Sequence, residues 1–376
     1  MGLCDSPLQI YFSTTVNGAL SLSRMPLINT TLTLKDLPPP PPGKTGWPWT
    51  EPTNPLPERM PDGSEWPRIS IVTPSYNYGR FIEETIRSVL LQGYPNLEYI
   101  VIDGGSTDNT IEIIRKYDKY LTYWVSEPDE GQTDAINKGY QHCIGELFAW
   151  LNADDIYAHS TCLKNISEFY KKGYKLIVGE CNNIDINGNK IIIKNTFNGY
   201  CKPQYFDQYV KFWSFVPMPE PAVFIAKELT DKSFPLDKNL YTTMDYQLFL
   251  RVLSQQPKSV WIKQTWVNFK YHGNNKTMQP ISDAYLELYK VSLSEATRVY
   301  KFIKRKLFKV FADDYLTLVS IMSRKTPASF GQILMVLATR PTLMGWSLSW
   351  KLLIKACIGS KKYLKIKQVA YYFIKG

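Results

Sequence analysis

The amino-acid sequence predicts an α/β fold: a mostly parallel sheet flanked by helices, followed by a helical, basic C-terminal region. Three observations predict it. From residue 68 to 155, short apolar runs alternate with helical patterns at βαβ spacing, which implies parallel strands joined by crossover helices. Leu147-Phe-Ala-Trp-Leu151, preceded by Gly145, has the length and apolar character of a strand buried on both faces. Chemistry-bearing residues follow the strands directly, at Pro74 to Asn77, Asp103 to Asp108 and Asn152 to Asp155. Open α/β sheets bind ligands beyond the carboxyl ends of their strands.

Residues 1–36 carry no readable motif. From Pro38 to Pro67 there are eleven prolines, five of them consecutive. Each fixes its own φ and biases its predecessor toward extended backbone. Residues 1–67 therefore form a Pro-rich extension, read as a strap over the domain surface pinned by Trp47, Trp49 and Trp66. The folded domain is expected over 68–280. Ile69 to Thr73 is the first strand, and Phe81, Ile82, Ile86, Val89 and Leu90 recur at helical spacing. Glu98 to Ile102 is the second strand, running into Asp103-Gly-Gly-Ser-Thr-Asp108. Ser106, Thr107 or Asp108 can cap the helix of Ile111, Ile114 and Tyr117. Leu121 to Val125 is the third strand, and 127–139 is a polar loop leading into a helix. The fourth strand ends at Asn152-Ala-Asp-Asp155. Two adjacent carboxylates repel, so something offsets them. A divalent cation shared with a diphosphate does this; a helix N-cap is the alternative.

Composition narrows the classes. Among 376 residues, 44% are hydrophobic, ample for a core. The six cysteines, at 4, 143, 162, 181, 201 and 357, contain no Cys-x-x-Cys pair, so they read as free thiols in a reducing compartment. Residues 1–30 lack the basic start and apolar run of a secretory signal. The net charge of +10 lies wholly in the tail: residues 315–376 hold ten Lys and Arg and no Asp or Glu. The preceding residues balance, which argues against a nucleic-acid-binding core.

The pieces together resemble glycosyltransferase family 2, the inverting nucleotide-sugar-dependent enzymes of the GT-A, Rossmann-like fold. The resemblance rests on Ile69-Ser-Ile-Val-Thr-Pro-Ser-Tyr-Asn77, Val101-Ile-Asp-Gly-Gly-Ser-Thr-Asp108, Gly131 with Asp134-Ala-Ile-Asn-Lys-Gly139, and Leu151-Asn-Ala-Asp-Asp155. It implies nucleotide-sugar contacts at Thr73, Pro74, Tyr76, Asp103, Gly131, Asp134 and Asp154. It implies a Mn²⁺ or Mg²⁺ site at Asp154 and Asp155. Many family members carry Asp where Gly104 and Asn152 stand here.

Beyond Asp155, Lys175 to Glu180 reads as a strand and Asn187-Gly188 as a hairpin turn between 182–186 and 189–194. Thr242 to Arg251 resembles the family's helix bearing the general base, which makes Asp245 the candidate catalytic residue, with Glu220 next. Tyr271 to Thr277 resembles a segment carrying a His or Lys toward the diphosphate, so His272 joins the metal candidates, with Lys276 beside it. Region 281–376 is expected to be helical and basic. Arg340, Pro341, Lys351 and Lys355 interrupt any spanning run. The tail suits an anionic membrane surface or a helical subdomain packed on the core. The expected function is metal-dependent inverting transfer of a sugar from a nucleoside-diphosphate donor to an acceptor hydroxyl, in polysaccharide or glycolipid synthesis. The acceptor is a glycan or lipid-linked sugar, and no nucleic acid is bound. The expected location is cytoplasmic, peripheral on the inner face of the membrane. The alternative is a non-catalytic nucleotide-sugar-binding or scaffold protein on the same fold.

Overall fold

The computed structural model describes residues 31–192, 202–210, 217–273, 275–276 and 281–299. The first half follows the expected alternation: β1 (Ile69–Ser75), α1 (Ile82–Leu90), β2 (Leu97–Asp103), α2 (Thr110–Lys116), β3 (Tyr123–Ser126), α3 (Gln132–Gln141) and β4 (Leu147–Trp150). The second half contributes β5 (Ile156–Tyr157), α4 (Cys162–Lys171), β6 (Leu176–Ile184), α5 (Phe206–Tyr209), β7 (Val223–Ala226), α6 (Lys227–Thr230), α7 (Met244–Leu253), β8 (Ser259–Lys270) and α8 (Ile281–Val299). One eight-stranded sheet results, in the order β3-β2-β1-β4-β7-β6-β8-β5. β3, β2, β1 and β4 run parallel. β7 pairs antiparallel with both β4 and β6, whereas β6 and β8 are parallel.

The chain builds outward from β1 to β3 and then returns to place β4 on the other side of β1. Strand order therefore reverses between β1 and β4, where ligand crevices of such sheets form. Alternate residues feed two cores, because side chains of a strand alternate between faces. Val72, Ile100, Ile102, Phe148 and Trp150 join α3 and α7 on one face. Ile69, Ile71, Tyr99, Val101, Leu147 and Ala149 join α1, α2 and α4 on the other. Gly139 lets α3 approach the sheet: a Cβ there would lie 2.4 Å from Val72 Cγ1.

The Pro-rich segment is part of this second core. Leu32, Leu37, Met60 and Trp66 are buried within it, and each fully buried large apolar side chain contributes roughly 2 kcal/mol. Arg87 of α1 is fully buried and holds the strap. Its guanidinium donates to the carbonyls of Pro38 (2.7 Å), Pro48 (3.2 Å) and Trp49 (3.2 Å) and stacks 5.3 Å from the Trp49 ring centroid. Trp47 Nε1 reaches further, to the carbonyl of Tyr157.

Several elements differ from expectation. The first arm of the expected hairpin merges into β6. Its turn is there, with Gly188 at φ 84°, but beyond it only an isolated bridge, Ile184 to Lys190, forms among the described residues. Asp185 Oδ1 takes the amides of Asn187 and Asn189, closing that turn locally. α8 packs on α7 through Arg251–Glu295 (2.9 Å) and Tyr246–Ser292 (2.8 Å). What the sequence predicts for 300–376 lies outside the described residues. Among the described residues no helix is long and apolar enough to cross a membrane.

Candidate active site

The carboxyl ends of the four parallel strands form one edge, and the sequence candidates divide sharply along it. Tyr76, after β1, is 56% exposed. Thr73 is wholly buried, with Oγ1 against Tyr99 Oη at 3.1 Å, and Pro74 is buried beside it. Those two shape the strand end. Asp103 closes the turn after β2. It is fully buried, with Oδ2 accepting from the amides of Gly105 (3.2 Å) and Ser106 (2.9 Å) and from Ser126 Oγ (2.7 Å), while Oδ1 takes Ser106 Oγ. These bonds fold the turn.

The loop after β3 carries Asp129, which the sequence reading passed over. Asp129 Oδ1 accepts the Gly131 amide at 2.8 Å. Burial pushes this carboxyl above its usual range; the Gly131 bond and Lys138 oppose that, and Asp134 and Asp103 add to it. Gly131, at φ 108°, needs glycine's freedom to start α3. Asp134 is not a free contact either. It is buried, pairs with Lys238 (2.6 Å) and Lys138 (3.6 Å) and accepts the Glu130 amide. Burial works against its charge, but Lys238 outweighs it and holds the carboxyl below its usual range. It anchors the loop.

After β4, Asp155 N bonds back to Asn152 O at 3.0 Å, and Thr85 of α1 donates to the carbonyls of Ala153 and Asp155. The two adjacent carboxylates consequently part company. Asp155 is fully buried, its Oδ1 taking the amide of Lys270 (3.2 Å) and its Oδ2 facing Asn152 Nδ2 (3.4 Å). Burial, then the Asp154 charge, push it well above the usual carboxylate range. In this arrangement it ties β4 to β8. Asp154 instead meets the segment after β8. His272 Nε2 lies 2.8 Å from Asp154 Oδ2, and Asn275 Nδ2 donates to the same oxygen at 3.2 Å. His272 packs 4.6 Å from Phe81. Lys276 Nζ, by contrast, points to the Tyr241 carbonyl.

Among the described residues no group of three His, Cys, Asp or Glu side chains is arranged as a metal cage. The Asp154–His272 pair still fits a cation of the kind held by one or two protein ligands plus substrate phosphates.

The base candidate sits in the first turn of α7. Asp245 Oδ1 accepts the Tyr246 amide, and burial pushes its pKa up to about 6, with Glu287 adding to the shift. Glu287 of α8 clamps this helix start, accepting from the amides of Tyr241 and Thr242 at 2.7 Å and from both threonine hydroxyls. Between Asp245 and Asp155 stands Glu220. Asn152 Nδ2 reaches its Oε2 at 3.2 Å, and Gln132 Nε2 orients that amide through Asn152 Oδ1 at 2.7 Å. Burial, then Asp245 and Asp155, push Glu220 well above its usual range. An Asp at position 152 would set a third carboxylate against these two; an amide bridges them.

Sequence reasoning missed Asn275, Glu287, Gln132 and Asp129. Asp129 and Gln132 stand in the polar loop at 127–139 and Asn275 in the segment Tyr271 to Thr277, so three of the four lay in stretches already marked, whereas Glu287 left no signal.

Residues 70–233 match the model for Glycosyl transferase family 2. An uncharacterized glycosyltransferase of Nostoc sp. is 26% identical over 227 residues, 57% of this chain and 68% of that protein. One from Rickettsia typhi is 31% identical over 198 residues, 50% of this chain and 60% of that protein. The putative teichuronic acid biosynthesis glycosyltransferase TuaG of Bacillus subtilis is 38% identical over 94 residues, 24% of this chain and 36% of TuaG. The crystal structure of S. aureus TarS 1-349 in complex with UDP-GlcNAc matches with a TM-score of 0.52 at 15% identity, covering 78% of this chain and 92% of that one. At that identity the likeness is one of fold.

Proposed function

Since residues 70–233 are a glycosyltransferase family 2 domain on the expected α/β sheet, we propose that the chain transfers a sugar, with inversion, from a nucleoside-diphosphate donor to an acceptor hydroxyl. One observation carries the reading. Asp154 stands at the switch between β1 and β4, paired with His272, while a carboxyl tuned to about 6 stands on α7 beyond Glu220. Glu220 feels the charges of both Asp245 and Asp154, which places a ligand site and a proton acceptor on either side of it.

Asp245 takes the proton of the acceptor hydroxyl as that oxygen attacks the anomeric carbon, and the diphosphate leaves from the opposite face. A base with a pKa near the working pH is suited to this. A divalent cation, Mn²⁺ or Mg²⁺, held by Asp154 and His272 would supply charge neutralisation for the leaving diphosphate. Gln132 holds the Asn152 amide where it bridges Asp155 and Glu220 while the donor binds. The likeness to TuaG, a putative teichuronic acid biosynthesis glycosyltransferase, supports a cell-envelope polymer as the acceptor class. The acid-free tail supports a peripheral position on an anionic membrane face, where a lipid-linked acceptor is within reach.

The test is calorimetric titration of the full chain with nucleoside diphosphates, with and without Mn²⁺. Binding is expected to require the metal in the native chain and to be lost in Asp154→Ala. Metal-independent binding, or unchanged binding in that variant, sinks the assignment.

A further inference from the structure

The turn after β6 holds three isoleucines out in water. Ile186 is 47% exposed, Ile191 36% and Ile192 92%, and every residue from 186 to 192 is exposed. Apolar side chains scattered singly over a surface are ordinary, but three on one short turn make a patch. The amides of this turn are satisfied from within. Asp185 Oδ1 accepts those of Asn187 (2.8 Å) and Asn189 (2.9 Å), and its Oδ2 accepts the Asn189 side-chain amide (3.0 Å). The Gly188 amide donates to the Asp185 carbonyl (3.1 Å) and the Ile191 amide to the Asn183 carbonyl (2.8 Å). Backbone that meets lipid must satisfy its own donors, and this turn does so.

Charge and position narrow the partner. From Ile186 to Phe206 the chain has no Asp or Glu, and it has lysines at 190, 194 and 202. Lys202 faces Glu180 at 3.4 Å, whereas Lys190 is exposed among the isoleucines. An apolar tip with a basic flank and no acid complements the phosphates and acyl boundary of an anionic bilayer. β6 is antiparallel to β7, which is antiparallel to β4, so the turn leaves the sheet at the same edge as Asp154. The Ile184 carbonyl accepts the Tyr271 amide at 2.8 Å, and the next residue, His272, meets Asp154.

We propose that the turn at 186–192 seats its isoleucines in the interface of an anionic bilayer while Lys190 meets the lipid phosphates, so that the Asp154 edge of the sheet faces the membrane. This deepens the peripheral reading above, which stands on the tail. Stable attachment takes two signals, because a single shallow one binds marginally. The tail supplies charge, and the turn supplies apolar contact and orientation. A lipid-linked acceptor then meets the sheet edge that carries Asp154 without leaving the bilayer.

The experiment is co-sedimentation of the full chain, at low salt, with vesicles of phosphatidylglycerol and phosphatidylcholine and with vesicles of phosphatidylcholine alone. The native chain should partition into the mixed vesicles and far less into the neutral ones. Ile186→Ser with Ile192→Ser, which changes no charge, should weaken that partition about fivefold or more, the scale of two partly buried aliphatic side chains. Ile186→Trp with Ile192→Trp should keep or strengthen it, since indole rings favour the interface. Both variants should bind nucleoside diphosphate as the native chain does. Equal partition of the native and Ser-substituted chains overturns the proposal, as does equal partition of the native chain into both kinds of vesicle. Self-association without vesicles that the Ser substitutions abolish also overturns it, because a second copy would then cover the turn. A native chain that binds neither kind removes the peripheral reading, and this one with it.

Discussion

Asp245 sits where α7 begins, and burial lifts its carboxyl to about 6. The sign for activity follows: the proton-accepting form is the deprotonated one, so turnover should rise with pH through about 6. Asp245→Asn should keep donor affinity and cut turnover about 10²-fold or more. Initial rates from pH 5 to 8 for both proteins check this, and a flat native profile, or near-normal turnover in the variant, moves the base to Glu220. At this scale the sequence was legible in kind but not in geometry. Asp154 and Asp155 are neighbours in the chain, yet only Asp154 meets His272, while Asp155 is buried under Lys270. Pleat and turn send adjacent side chains apart, and no residue type announces which goes where. Asp129 escaped notice because it lies against Gly104, 25 positions away in the chain.

The elements of the first half could be read because each strand and helix there is built from a local pattern. The second half depends on pairings that local pattern does not encode. β5 is two residues long, and β7 runs antiparallel between β4 and β6. The start of α7 belongs to the same category. It is held not by a residue of its own segment but by Glu287, more than 40 positions on. Glu287→Gln should destabilise the fold by about 1–2 kcal/mol, the scale of a lost cap. Burial opposes the charge of Glu287, but the amides of Tyr241 and Thr242 hold its pKa below the usual range. Its contribution is therefore present above the unfolded carboxylate pKa and is lost as pH falls through the lower folded one. Urea titrations at pH 7 and pH 3.5 should show the native–variant gap narrow at the lower pH. An equal gap at both would assign the loss to packing alone.

On the scale of the whole molecule, the strap and the tail make opposite demands. The strap is built into the core through Arg87, so Arg87→Leu should cost about 2–4 kcal/mol by stranding buried carbonyls. Limited proteolysis should then cut between residues 31 and 67, where the native chain resists; resistance in the variant would show the strap held by its tryptophans instead. The tail adds ten positive charges without a negative one, each contributing about 1 kcal/mol at an anionic bilayer and fading within a Debye length. The full chain should pellet with anionic vesicles at low salt and not at high salt, and a 1–314 truncation at neither; equal behaviour of the two removes the membrane role. The strap also bears on the order of events at the ribosome. Trp47 leaves the exit tunnel before the Tyr157 carbonyl to which it bonds, with 110 positions between them. At roughly 5–20 residues per second, that is on the order of 5–20 s of synthesis. Through that interval Trp47, Trp49 and Trp66 have no complete core to enter, so the nascent chain presents an aromatic, proline-rich segment to whatever chaperone waits there. Folding of this chain closes backward, its earliest-made part locked in by later ones.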